Sequence, residues 1–187
     1  MKDTTVLRPS GLAHVVFKTA QYREMVDFWT TFLGAERVFE NDFLTFLRYD
    51  DEHHRVAIGR EDGIQPHAPT TAGLHHVAFT YGTLRQLLAA YRQRKELGIA
   101  PAWCVNHGPT TSLYYKDIDG NTIETQVDNF DTAQAATDFM LSKHFEDNPI
   151  GTNFDPDELW QKLEAGAEES TLKKRVEIGV RRTVEGL

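Results

Sequence analysis

Two histidines held in matching apolar frames stand out in this chain. Gly11-Leu12-Ala13-His14-Val15-Val16-Phe17 returns 62 residues on as Gly73-Leu74-His75-His76-Val77-Ala78-Phe79. A carboxylate, Glu124, stands in Asn121-Thr122-Ile123-Glu124-Thr125, near the end of the second copy's unit. Two imidazoles and one carboxylate make up the facial triad that holds non-haem Fe(II) and leaves positions open for a substrate and O2. A lone histidine on an apolar strand is more often a hydrogen-bonded core residue. Two at equivalent repeat positions, joined by a strand glutamate, reverse that preference and point to a metal.

Strand alternation decides whether such groups can converge. In the first copy His14 shares a face with Leu12 and Val16, opposite Ala13, Val15 and Phe17. In the second, His76 shares a face with Leu74 and Ala78, and His75 is expected to point away with Val77 and Phe79. The repeat therefore selects His76 as the partner of His14. Glu124 goes with Thr122 and Gln126, opposite Ile123 and Val127. Three ligands from three strands, on the concave side of a curved sheet, would give a facial arrangement.

The elements that position these residues come in the same order twice. Leu12–Thr19 alternates like a strand, and the spacing of Met25, Val26, Phe28, Trp29, Phe32 and Leu33 predicts a helix over Tyr22–Leu33, ended by Gly34. Strands are predicted at Glu36–Phe39, Phe43–Tyr49 and Arg55–Gly59, and Ile64–Ala72, with two prolines, reads as a linker. The second unit repeats this with a strand at Gly73–Tyr81, a helix at Thr83–Leu97 stopped by Gly98, and strands at Ala102–Asn106, Ser112–Lys116 and Thr122–Val127. Two βαβββ modules, about 10–63 and 73–130, are a repeated supersecondary unit, and neither is large enough to bury its sheet face well alone. The predicted fold is α+β: a domain over 10–130 in which the modules pair in a curved, barrel-like mixed sheet with helices outside. A helical C-terminal tail, 131–187, follows. Within it, helices are expected at Thr132–Lys143 and Asp157–Ala165, with a loop at Asn148-Pro149-Ile150-Gly151 and a charged amphipathic stretch over Thr171–Val184. No metal or catalytic motif is visible in the tail.

Bulk properties narrow the partners. The chain has 187 residues and a net charge of −8, which argues against nucleic acid or an anionic membrane surface as partner. No apolar run approaches the roughly 20 residues of a membrane span, and the N-terminus does not open like a signal peptide. One cysteine, Cys104, excludes an intramolecular disulfide framework and fits a reducing interior, so a cytoplasmic enzyme is expected.

The chain resembles the vicinal oxygen chelate superfamily and, within it, one-domain type I extradiol catechol dioxygenases. The resemblance covers about residues 10–130. It rests on Gly11-Leu12-Ala13-His14-Val15, on Leu74-His75-His76-Val77-Ala78-Phe79, and on Tyr114-Tyr115-Lys116-Asp117-Ile118-Asp119-Gly120-Asn121-Thr122-Ile123-Glu124. The last segment is similar to the superfamily's closing Asp-Pro-x-Gly-Asn-x-x-Glu signature, with Ile118 where proline is usual, a departure in a turn and not in a ligand. The resemblance implies that His14, His76 and Glu124 hold Fe(II), with Mn(II) as the alternative. It also implies that the substrate is a catechol-type vicinal diol cleaved with O2. Tyr114, ten residues before Glu124, matches the family's active-site tyrosine. His107-Gly108 resembles its acid–base histidine, across a loop that reads two residues shorter. His54, in His54-Arg55-Val56-Ala57, matches a histidine that hydrogen-bonds oxygen. By this likeness His107 shuttles a proton and Tyr114 bonds a substrate oxygen.

The residues themselves leave plainer readings open. His54 beside an acidic turn could be a solvated loop histidine, His107 before Gly108-Pro109 a turn histidine, and Tyr114 a core residue. His67 and His144 read as surface residues. Phe46, Trp103, Phe130 and Phe139 are candidate pocket walls. Other superfamily members include glyoxalase-like isomerases and lyases, which usually carry a fourth protein ligand, often a carboxylate on the first unit's last strand, and metal-free binding proteins. The aromatic-rich exterior and the tail suggest a homo-oligomer, a dimer or higher.

Overall fold

A strand whose parallel neighbour is the last of its unit must be joined to it by a long crossover, and in both halves a helix and two strands supply it. The computed structural model describes residues 6–65, 68 and 70–183; Pro66, His67, Pro69 and Val184 lie outside these. The chain divides into two compact units, residues 1–68 and 69–187.

The first unit runs β1 (Val15–Thr19), α1 (Tyr22–Leu33), β2 (Glu36–Glu40), β3 (Leu44–Arg48) and β4 (Val56–Arg60). Its sheet has the order β1-β4-β3-β2, with β1 parallel to β4 and the other pairs antiparallel. Helix α1 ends at Gly34, which takes φ 61 and donates its N–H to the Thr30 and Thr31 carbonyls, a left-handed cap that glycine adopts without a Cβ penalty. Met25, Val26, Trp29 and Phe32 recur at the helical period and are buried, and Trp29 stacks on Phe17 of β1 with ring centroids 4.6 Å apart.

The second unit repeats the order with β5 (His76–Tyr81), α2 (Leu84–Glu96), β6 (Trp103–Asn106), β7 (Thr110–Lys116) and β8 (Thr122–Asp128). The tail adds α3 (Ala133–Met140), α4 (Lys143–Asp147), β9 (Thr152–Asn153), α5 (Pro156–Glu164) and α6 (Glu169–Leu172). The sheet order is β5-β8-β7-β6-β9, again with the first and last strands of the module parallel. The expected mixed sheet is thus present as two separately hydrogen-bonded sheets, one per unit. Helix α2 covers one face of the second: Leu84, Leu87, Leu88 and Tyr91 are buried at i, i+3, i+4 and i+7, and the helix packs against β5 and β8. Leu113, Tyr115, Ile123 and Thr125 are buried residues of this sheet that alternate with Tyr114 and Glu124.

The tail is part of the second unit. Strand β9 pairs with β6 through Val105–Asn153 and Asn106–Thr152 and covers what would be an open edge. The Glu169 carboxylate accepts from the Leu84 and Arg85 N–H groups at 2.9 and 3.1 Å, satisfying the first turn of α2. Helix α5 starts with Asp155 as N-cap and Pro156 in its first turn, and lies against α2 with Arg85 paired to Glu164 at 2.6 Å. Three expectations for the tail change. Thr132–Lys143 is interrupted because Ser142 caps a new helix, its hydroxyl accepting from Phe145 N–H. The amphipathic stretch from Thr171 is helical only to Leu172, and beyond it Arg175 and Arg181 donate to backbone carbonyls elsewhere in the unit. The two-residue β9 is too short to leave a pattern in the sequence and is set by its pairing with β6. No helix among the described residues is long and apolar enough to cross a membrane.

Candidate functional site

In the second unit the register brings the chemistry together. Strand β8 lies between β5 and β7, so Glu124 is flanked by Ala78 on one side and Tyr114 on the other, and Tyr114 is in turn paired with Trp103 of β6. Residues paired in register point to the same face, so Glu124, Tyr114 and Trp103 share one, with His76 two positions before Ala78. His76 Nε2 stands 3.0 Å from Glu124 Oε2. Burial pushes the Glu124 carboxyl up, but hydrogen bonds from His76 and Ser112 and their charge environment outweigh it, and the group lies below its ordinary value. A buried carboxylate kept ionised beside an imidazole nitrogen is a donor pair suited to a divalent first-row metal. Such ions hold N and O donors at roughly 2.1 Å, so neighbouring donors at right angles lie roughly 3.0 Å apart, which this pair matches. Among the described residues neither unit alone holds a group of three His, Cys, Asp or Glu side chains placed to bind a metal.

A second pair joins Tyr114 of β7 to His107 in the turn that follows β6. His107 Nε2 lies 2.9 Å from the Tyr114 hydroxyl, and its Nδ1 lies 2.5 Å from the Ile150 carbonyl oxygen. A carbonyl only accepts, so Nδ1 carries the proton and donates it there. Nε2 of the neutral ring is then the acceptor, and Tyr114 donates to it. Burial pushes the His107 imidazolium down and keeps the ring neutral, the Ile150 contact opposing in part. Burial, with Glu124 nearby, pushes the Tyr114 phenol far up, so it stays protonated. His76, His107, Tyr114 and Trp103 line one cavity of about 330 Å³ together with His75, Pro149 and Ile150, within the range of small-molecule sites.

His75 is a correction. Strand β5 begins at His76, so no alternation applies to the residue before it, and His75 lines this cavity with Nδ1 2.7 Å from His76 Nδ1. Of the expected walls, Trp103 faces the cavity and stacks on Tyr114 with centroids 5.0 Å apart. Phe130 and Phe139 do not line it; they pack on each other, and Phe139 fills the space beside Gly108, where a Cβ would come within 2.1 Å of its ring. His144 is an exposed tail residue near Glu177. Pro149, Ile150 and Arg175 are the site residues that the sequence did not reveal. Ile150 acts through its backbone, which has no signature in residue type.

In the first unit, His14 lies exposed at the residue before β1. Its approach is fixed by Arg55, which donates to the Leu12 and Ala13 carbonyls at 2.7 and 3.1 Å while its backbone carbonyl accepts from Val15 N–H. The His14 ring lies 4.5 Å from that of His54. His54 precedes β4 rather than lying on it, is buried against the face of Phe46, and is held neutral by burial and by His14 and His53 nearby.

The model of the Glyoxalase/Bleomycin resistance protein/Dioxygenase superfamily matches residues 11–125. Over 155 residues the chain is 45% identical to Biphenyl-2,3-diol 1,2-dioxygenase 2 of Rhodococcus globerulus, covering 82% of each chain. It is 43% identical over 166 residues to Biphenyl-2,3-diol 1,2-dioxygenase 3 of the same organism, covering 88% of this chain and 87% of the relative. A solved glyoxylase/bleomycin resistance protein/dioxygenase domain from Frankia sp. EAN1pec is similar in fold, with a TM-score of 0.55, 17% identity, and coverage of 65% of this chain and 99% of that one.

Proposed function

We propose that this chain, which belongs to the Glyoxalase/Bleomycin resistance protein/Dioxygenase superfamily, is an extradiol dioxygenase that opens the ring of a catechol-type aromatic with O2. One observation carries the reading: a neutral His107, its Nε2 lone pair toward Tyr114, lines the same cavity as His76 of the His76–Glu124 pair. In this reading the proton acceptor and a metal ligand face the same cavity. Glyoxalase-like enzymes usually carry a fourth protein ligand, often a carboxylate on the last strand of the first module, and β4, Val-Ala-Ile-Gly-Arg, carries no carboxylate.

His14, His76 and Glu124 would hold the metal, Fe(II) or alternatively Mn(II). When bound, the metal supplies a template for diol and O2 and a path for electrons between them. The chain's own residues do the rest. His107 takes the diol's second proton at Nε2, while its Nδ1–H stays on the Ile150 carbonyl. Tyr114, kept protonated, turns its one O–H from His107 to a substrate oxygen when the diol binds, which frees Nε2 to accept. His54 is the residue assigned to hydrogen-bond oxygen. Trp103, Pro149 and Ile150 present apolar surface to the remainder of the ring system. These walls suit a substituted catechol such as biphenyl-2,3-diol, the compound in both relatives' names.

Metal analysis of the purified chain, followed by O2 uptake over a panel of catechols including biphenyl-2,3-diol, tests the reading. Bound metal, oxygen consumption and a yellow ring-opened product are expected. Metal without oxygen uptake across the panel contradicts it.

A further inference from the structure

We propose that Arg175, in the tail, is a positioning residue that fixes the proton of His107 on Nδ1 by holding together the two segments that make the His107–Ile150 bond. This rests on the assignment of His107 as the proton acceptor. The Arg175 side chain is 1% exposed, and all its donors are engaged. Nη1 donates to the His107 carbonyl at 3.0 Å and to the Asn148 carbonyl at 2.7 Å. Nη2 donates to the His144 carbonyl at 3.0 Å and, with Nε, to the Glu177 carboxylate at 2.9 and 3.0 Å. The guanidinium also lies 5.0 Å from the centre of the Phe139 ring. A rigid fork of donors thus bridges the backbone of His107 itself and the segment that carries Ile150.

The Ile150 carbonyl is held from its other side as well. Asn148 is fully buried and closes the loop on itself, its Oδ1 accepting from Gly151 N–H at 2.7 Å and its Nδ2 donating to the Gly151 carbonyl at 3.1 Å. Gly151 has φ +106, and a Cβ there would stand 2.2 Å from the Asn106 carbonyl, so the loop presses against the strand that leads into His107. The consequence is chemical. With Nδ1–H committed to Ile150, the lone pair of Nε2 points at Tyr114 and the cavity. If the ring rotated or changed tautomer, Nε2 would carry a proton and could not accept one. The buried positive charge acts in the same direction as burial, disfavouring imidazolium.

The test uses full-length protein and two variants, Arg175→Lys and Arg175→Gln, with folding checked by circular dichroism. Long-range proton–nitrogen spectra of 15N-histidine-labelled protein, freed of paramagnetic metal, report which ring nitrogen of His107 is protonated; the resonances are assigned by their loss in His107→Gln. Wild type is expected to show Nδ1 protonated and Nε2 bare. Arg175→Gln should show a mixture or the other tautomer, with Arg175→Lys in between. With a diol as substrate, kcat should fall roughly 10- to 100-fold in Arg175→Gln, while KM moves less than about threefold and metal content is unchanged. The tautomer spectra need no turnover. A shifted tautomer in a chain that cleaves no catechol upholds the positioning role and removes the dioxygenase reading. An unshifted tautomer in both folded variants overturns the positioning role whatever the activity. If Arg175→Gln does not fold, Arg175→Lys alone decides between the same two outcomes.

Discussion

Replacing His107 with glutamine removes a base while keeping the shape of a hydrogen-bonding side chain. The glutamine amide can still donate toward the Ile150 carbonyl or accept from Tyr114, which lie 2.5 and 2.9 Å from the two ring nitrogens, but it cannot take up a proton. Loss of one of the two contacts costs stability about 0.5–1.5 kcal/mol, too little to unfold a domain of this size. The kinetic cost is larger. A positioned general base contributes roughly 10²- to 10⁴-fold, and at about 1.36 kcal/mol per decade this is about 2.7–5.4 kcal/mol of barrier. Tyr114 and the proposed metal ligands are untouched by the substitution, so a loss of roughly 10²- to 10³-fold in kcat is expected. The assay is the initial rate of O2 uptake at saturating biphenyl-2,3-diol across a pH series, with metal content measured on the same samples. Part of the deficit should be recovered at high pH, where the diol arrives already short of a proton. A variant within about threefold of wild type at neutral pH would refute the role of His107. So would loss of metal in step with activity, which would make it a ligand instead.

Three other consequences are independent of turnover. Gly151→Ala places a methyl group 2.2 Å from the Asn106 carbonyl at φ +106, so denaturant unfolding should show a loss of more than about 2 kcal/mol, and an unchanged midpoint would contradict the packing described. Glu169→Gln weakens the cap on α2 without removing its oxygen, and thermal melts should report a loss of about 0.5–1 kcal/mol that shrinks as salt is added. The Cys104 thiol is pushed up to about 12 by burial, with Asp155 and Asp157 adding to it. Little thiolate is therefore present at pH 8, and maleimide should label the native chain far more slowly than the unfolded one. Equal rates would show that the thiol is not shielded.

The parts of the fold that could be read from the sequence are those set by local pattern. The spacing of Met25, Val26, Trp29 and Phe32 marked α1 with its observed bounds, and Gly34 stopped it where a left-handed residue was needed. Alternation separated Tyr114 and Glu124 from Leu113, Tyr115 and Ile123, and the register agrees. Pattern failed where pairing begins or where distant contacts decide. Apolar residues before a strand look like the strand itself, so pattern alone starts β1 and β5 too early, and His75 is misplaced with them. The stretch after Leu172 has helical spacing, but Arg175 and Arg181 are drawn to carbonyls in the 107–151 region, and Gly179 takes φ +84, so tertiary bonding overrides propensity. The duplicated histidines and Glu124 were visible as residue types. The Ile150 carbonyl that orients His107 was not, because every residue but its neighbours could supply the same atom.

Extradiol cleavage by this chain would insert both atoms of O2 into a vicinal diol, and isotope labelling follows those atoms. Metal-loaded protein is given biphenyl-2,3-diol under ¹⁸O2, and the ring-opened product is trapped at once and weighed by mass spectrometry. A product carrying both labelled oxygen atoms is expected, formed with one O2 consumed per diol. A diol returned unopened by metal-loaded protein, or a product without label, would contradict it.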